Sequence, residues 1–539
     1  MSYRVVSSFL GKAGAALALV AVGDALFWMA DGAGSTLGVF AIAWVVTTLL
    51  LTPAAWRRRG ALVASAVALM LGAVMVDSPS LLALVMFGAA LALAVLLPRA
   101  AAFDHAGRWA LRIIAFAMVS LIGPWRDLFR MSRLTKSPGR NLKLQRWLPL
   151  LPLPLIGGAI FLGLFASANP LIGDALLSIG APDISLEGIA HFLFWGILFT
   201  VIWSTLRPRR VRLSFTDVPS DPDLRLPGVS IGSVALALVT FNALFVIENG
   251  LDIAFLWSGA PLPKGVTLAD YAHQGAYPLI ATALLAGLFV LVALRPGSET
   301  AKVPLIRRLV VVWVAQNVFL VASSILRTTD YIAAYSLTVL RIAALFWMGL
   351  VAVGLVLIVW RMLRGKSGAW LINANAITAA AVLLACTIVD LGAVAATWNV
   401  RHAREAGGTG QALDLCYLGR LDSSALTALV TMGQRPGLAP DFAERLAWVR
   451  HNSFVKTRDS LAGGGWTWRN QRRMEQVASM LGGRSLPAPP PRGEYGRNCD
   501  GSLVTDPAPA PTPDIAETNP ADEIPQTNIV APLTNGVAR

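Results

Sequence analysis

The stretch TVLRIAALFWMGLVAVGLVLIVWRMLRGK, residues 338–366, decides the fold. Its apolar part, 338–360, ends in the basic residues Arg361, Arg364 and Lys366. At about 1.5 Å per residue, a helix of this length crosses the roughly 30 Å hydrocarbon layer of a bilayer. The basic end then marks the side on which it emerges, because Lys and Arg near spans are retained in the cytoplasm.

The same pattern recurs outward from this stretch in both directions. Apolar runs of roughly 17 to 23 residues fall at 10–30, 34–55, 61–76, 81–97, 148–168, 189–206, 229–246, 277–294, 309–326 and 371–394. With 338–360 they predict about eleven membrane helices, and the absence of alternating strand patterns argues against a β-barrel. Of the 539 residues, 55% are hydrophobic and only 14% charged. The mean hydropathy of +0.61 is too high for an ordinary soluble protein, so lipid is expected to cover much of the surface.

The net charge of +14 has a local explanation. Arg4 and Lys12, then Arg57, Arg58 and Arg59, the stretch 99–146, Arg207 to Arg212, residues 295–308, and Arg361 to Lys366 fall on alternate loops. The opposite loops, such as 77–80 and 169–188, carry almost no Lys or Arg. This assigns the N-terminus to the cytoplasm and, with an odd number of spans, the C-terminus to the outside of a bacterial inner membrane. Anionic lipid headgroups, not nucleic acid, are the natural neighbours of such loops.

The regions follow. Residues 1–98 hold four spans, and 99–147 form a basic cytoplasmic loop. Residues 148–394 hold seven spans, 395–483 a small extracytoplasmic helical domain, and 484–539 a Pro-rich, disordered tail. Counting 109–125 as a span would place every later basic loop outside, so it is expected to lie in the interface with one face in lipid. The first apolar run is followed closely by a second and is read as retained rather than as a cleaved signal.

Catalytic signatures are missing: there is no HExxH, Walker loop or kinase set. Gly228 to Gly232 spell GxSxG, but they open an apolar helix rather than a strand-turn-helix elbow. The three cysteines and five histidines form no ligand cluster, so no metal or cofactor is expected. Cys386 reads as a buried apolar side chain; whether Cys416 and Cys499 pair is left open.

Ionisable groups in lipid are costly and call for a partner or a wet cavity. In the predicted topology Asp24, Glu248, Arg341 and Asp390 share the outer level of their spans, with Arg327, Asp330, Asp252, His273 and His191 near the same boundary. A continuous helix would bring Arg327, Tyr331, Tyr335, Thr338 and Arg341 to one side, unless a turn near Asp330 breaks it. These residues either line an outward polar cavity or pair to lock helices together. Gln316, Asn317 and Asn242 read as interhelical hydrogen-bonding residues, and Gly34 and Gly38 as a close helix approach.

The segments FNALFVIENG (241–250), TLADYAHQGAYPLI (267–280) and SSILRTTDYIAAYSLTVLR (323–341) resemble a family of uncharacterised bacterial membrane proteins, domain of unknown function 4173. The resemblance implies a polytopic membrane protein without an assigned activity. It singles out Tyr271, Gly275, Arg327, Tyr331, Tyr335, Thr338 and Arg341; where that family has a basic residue before the glycine, this chain has His273 and Gln274. Two functions are expected from different classes. The first is transport or lipid handling through an outer polar cavity; the alternative is an envelope assembly or sensing scaffold, with membrane lipids around it and an envelope protein partner bound by its C-terminal domain or tail.

Overall fold

A computed structural model describes residues 2–29, 33–100, 103–124, 126–127, 157–158, 161–162, 165, 186–209, 230–258, 282, 285, 289, 303–408 and 410–504. Among these residues the protein is all-α, with a single isolated bridge between Arg497 and Leu503. The helices are α1 (Ser2–Gly23), α2 (Thr36–Leu51), α3 (Arg59–Asp77), α4 (Leu81–Leu96), α5 (Ala106–Ser120), α6 (Leu186–Leu206) and α7 (Ile231–Asp252). They continue with α8 (Pro304–Tyr335), α9 (Val339–Arg364), α10 (Gly368–Ile388), α11 (Leu391–His402), α12 (Leu415–Arg420), α13 (Ser423–Gly433), α14 (Pro440–Ala462) and α15 (Trp468–Leu481).

Eight of these helices, some with their flanking turns, are long and apolar enough to cross a membrane; α2, at 16 residues, is shorter. The fold is therefore a polytopic helix bundle. Large apolar side chains such as Leu340, Leu81, Leu50 and Ile377 stay exposed, as expected of surface meant for lipid. The expected spans 148–168 and 277–294 fall largely outside the described residues.

Helix ends follow the local sequence. Ser80 caps α4 by accepting the Ala83 N–H at 3.2 Å, and Pro304 opens α8 in the first turn, where its missing N–H costs nothing. Gly365, at φ 62°, closes α9 behind Arg361 and Arg364. Those cations suit the negative end of the helix dipole.

Two apolar cores organise the bundle. The first joins α1, α2, α3, α4 and α6 around Phe40, Trp44, Leu71, Met75, Phe87 and Ile202. At its centre Trp44 donates its indole N–H to Thr205 Oγ1 at 2.8 Å. Gly38 lets α2 and α3 meet backbone to backbone: a Cβ there would lie 2.2 Å from the Val76 nitrogen and 2.6 Å from the Gly72 oxygen. The second core joins α7, α8 and α9, with Trp313 packed among Phe241, Phe245 and Phe289. Between α7 and α8, Gln316 donates to Asn242 Oδ1 at 2.7 Å.

The segment 109–125 forms most of α5. It buries Trp109 and Phe116 against the bundle and leaves Leu111, Ile114 and Met118 exposed. Arg112 grips Asp104 with both terminal nitrogens, at 2.8 and 3.0 Å. Partial burial pushes the Asp104 carboxyl up, but the Arg112 bonds and the backbone N–H groups of Asp104 and His105 outweigh it and leave it below the usual carboxylate range.

Two of the differences from the expected boundaries bear on the C-terminal region. The last span ends at Ile388 rather than 394: Val389 and Asp390 are extended, and Asp390 caps α11 by accepting the Ala393 N–H at 2.9 Å. The described chain also packs beyond 484. Cys416 and Cys499 form a disulfide with Cα atoms 4.9 Å apart, Arg445 donates to Asp500 at 3.2 Å, and Arg497 donates to Glu444. A strap of residues 484–504 is thus tied to α12 and α14, where composition alone suggested a tail from 484 onward.

Candidate functional site

The candidate residues form four separate groups of contacts. The first lies between α1 and α6. After Gly23 the helix widens into a π turn over Asp24–Trp28. Asp24 accepts hydrogen bonds from His191 Nε2 and from the Trp195 indole, the latter at 2.9 Å, while Trp28 stacks on the His191 ring at 4.2 Å. The acid, the base and two aromatic rings thus join α1 to α6.

The second group joins α7 to α8. Arg327 donates to Asp252 and lies 3.8 Å from Glu248. The Asp252 and Arg327 side chains are 1% and 7% exposed, so the two opposite charges meet away from solvent. That arrangement locks the two helices, since separating such a pair leaves a bare charge in an apolar interior.

The third group sits where α8 ends. The helix runs unbroken through Asp330, which is half-buried, and breaks only at Ser336, whose φ is 70°. The helix thus has no turn near Asp330, and it breaks where the partners that replace the helical bonds are supplied from elsewhere in the chain. Buried Asn399 of α11 accepts the Leu337 N–H at 2.6 Å and donates to the Leu337 oxygen at 2.9 Å. The Tyr417 hydroxyl accepts the Val339 N–H at 2.9 Å, and Thr338 caps α9 by accepting the Arg341 N–H at 3.3 Å. Arg341 donates to the carbonyls of Tyr335, at 2.6 Å, and Ser336. Its guanidinium lies 4.4 Å from the Tyr331 ring centre, and Tyr331 in turn packs on Tyr335. This Arg closes a helix end.

The fourth group carries the largest change from expectation. Asp390 accepts hydrogen bonds from Arg473 and, at 3.0 Å, from Ser424. Nearby, Asp77 at the end of α3 accepts from Arg469 at 2.8 Å and from Arg472. Burial pushes the Arg473 guanidinium down, and Asp77 works against that. The chain before α15 completes the contact: Gly34 and Ser35 donate their N–H groups to the carbonyls of Gly464, at 3.2 Å, and Trp466, at 2.7 Å. A Cβ on Gly34 would meet the Trp466 oxygen at 2.1 Å. Gly34 and Gly38 therefore serve different contacts, one with the C-terminal domain and one with α3.

Tyr271, His273 and Gly275 lie outside the described residues. Sequence reasoning passed over Asp77 and the three arginines of α15. Their signal was present: Asp77 is the acid of a short loop almost free of Lys and Arg, and Arg469, Arg472 and Arg473 have the spacing of one helix face.

Among the described residues, no group of His, Cys, Asp and Glu could hold a metal ion. An open cavity of 760 Å³ does occur in the C-terminal domain, between α12, α14 and the strap.

These features define an all-α, multi-pass membrane protein with a helical C-terminal domain locked to its bundle by ion pairs. The chain belongs to the family described as Domain of unknown function (DUF4153), whose match covers residues 63–432. This match does not confirm the resemblance to domain of unknown function 4173, but it agrees with it in kind, a family of unknown function. No curated protein matches the chain, and no solved structure does. The family match takes in Asp77, Asp390 and the whole α8–α9 break, and it ends in α13, before the arginines of α15.

Proposed function

We propose that the protein is a scaffold of the bacterial inner membrane that holds its C-terminal helical domain at the outer face and offers it to an envelope partner. The observation that carries this reading is the lock between Asp77 and Asp390 on one side and Arg469, Arg472 and Arg473 on the other. Such a lock fixes the orientation of a domain, which a binding platform needs. The alternation of basic loops supports an inside N-terminus and an outside C-terminus. The Cys416–Cys499 disulfide suits the same oxidising compartment. In the bundle, Asp252 with Arg327 and Arg341 with the α8 carbonyls act as structural ties.

One observation favours transport as a second reading. Asp24 and His191 make a titratable pair on two apolar helices, and such pairs can relay protons. Reporters fused after Lys366 and Gly482 read the topology, with cytoplasmic and outside placements expected. The function is tested by rescue of a deletion strain under envelope stress. The scaffold reading expects an Arg469→Glu/Arg473→Glu protein that accumulates normally yet fails to rescue, and a His191→Ala protein that rescues. The reverse result transfers support to transport.

A further inference from the structure

The cavity of the C-terminal domain gathers positive charge. Its 760 Å³ are lined by four cations, Arg420, Lys456, Arg492 and Arg497, against one carboxylate, Asp422. Asp422 is already engaged by Lys456 at 3.0 Å. Arg497 is held by Glu444 and lies 5.6 Å from the centre of the Trp448 ring. Arg420 and Arg492 are exposed and form no ion pair among the described residues. His451 lines the same wall. Folding therefore brings guanidinium groups from α12 and from the strap to one concavity, with nothing of opposite sign to satisfy two of them.

The strap is what builds the site. Its contributions, Arg492 and Arg497, reach α12 and α14 only because the disulfide joins residues 83 apart in sequence and because Arg445 and Glu444 hold Asp500 and Arg497. Like charges gathered this way repel, and a protein tolerates that when a ligand offsets it.

We propose that this cleft binds a phosphate-bearing ligand, with Arg420 and Arg492 contacting the phosphate and the ring of Trp448 beside Arg497 receiving its organic part. Phosphate is favoured over carboxylate by the placement of the donors on two elements, α12 and the strap. A planar carboxylate is satisfied by one bidentate guanidinium, whereas a tetrahedral anion presents oxygens to donors on several elements. The proposal rests on the reading of the C-terminal domain as the binding part of the protein, and it names the chemistry of what is bound.

The test uses the full-length protein in detergent micelles, titrated calorimetrically with three probes: inorganic pyrophosphate, dihexanoyl phosphatidic acid and malonate. Saturable binding of pyrophosphate identifies a soluble phosphate compound as the source. Binding of the phosphatidic acid without pyrophosphate identifies a lipid headgroup. In either case Arg420→Glu/Arg492→Glu should weaken binding about tenfold or more, as expected for losing charged hydrogen bonds. Arg420→Gln/Arg492→Gln guards against misfolding, with the disulfide checked on a non-reducing gel. Saturable binding of neither phosphate probe, tighter binding of malonate, or unchanged affinity in both double variants overturns the proposal. A cytoplasmic Gly482 reporter would sink the scaffold reading and leave this titration standing; a failed titration with an outside reporter does the opposite.

Discussion

Arg469 donates to Asp77 at 2.8 Å across 392 residues of sequence, joining the last helix of the C-terminal domain to the end of α3. With Arg472 on the same carboxylate and Arg473 on Asp390, it makes the domain part of the bundle rather than a pendant. The Arg469 and Arg473 side chains are 15% and 12% exposed, so water competes weakly for these bonds.

The lock should open when its acids are neutralised. In Asp77→Asn/Asp390→Asn, amide exchange within Trp468–Leu481 is expected to rise about tenfold or more, the scale of charged hydrogen bonds. Exchanging the charges, Asp390→Arg with Arg473→Asp, should recover part of the protection. An unchanged exchange pattern would show that contacts other than these ion pairs, such as Gly34 with Gly464 and Tyr417 with Val339, hold the domain.

Arg327 and Asp252 are expected to behave as a pair. Arg327→Met removes this counter-charge from the buried Asp252 carboxylate and should cost about 3–5 kcal/mol, seen as lost accumulation and a lower melting temperature in detergent. Arg327→Met/Asp252→Leu removes both charges and should restore most of the loss. A double variant as unstable as the single one would contradict the pairing.

Gly38 can be tested by size alone. Gly38→Val places atoms against backbone of α3 on two sides, where no side chain can swing away. Destabilisation at the upper end of about 1–3 kcal/mol is expected. Gly88 on α4 has nothing within 4 Å of its Cβ position, so Gly88→Val is the matched control and should leave thermal unfolding nearly unchanged.

The strap should loosen in acid. The Asp500 carboxyl is held below its ordinary value of 3.8 by the Ser502 hydroxyl and backbone N–H, with Arg445 assisting against partial burial. A depressed folded value means that the carboxylate stabilises the fold above about pH 3.8 and that this contribution fades as the pH falls toward the lowered folded value. Thermal unfolding followed from about pH 6 to about pH 3 should therefore show the wild type losing its advantage over Asp500→Asn. A gap that stays constant across that range would remove Asp500 from the account.

The chain's apolar runs fixed the architecture because a span is a local property: length, hydropathy and the flanking Arg residues are all read within about twenty residues. That is why α9 could be drawn from residues 338–366 alone, and why the resemblance pointed to the right kind of protein while the family match fell on a different family of unknown function. The break after Tyr335 is a different case. Its partners, Asn399 and Tyr417, come from another part of the chain, so residues near Asp330 could not locate it.

Sequence alone determined that this is an all-α chain of membrane helices and that its few intramembrane charges needed partners. Only the tertiary structure decided which partners those were. Asp24 went to His191, Asp252 to Arg327, Arg341 to the carbonyls of its own neighbouring helix, and Asp390 to Arg473. Burial makes an ionisable group seek compensation in any fold, but the choice among groups depends on packing. Here it was set by close approaches such as Gly38 to α3 and Gly34 to Trp466, and by the disulfide that returns the strap to α12.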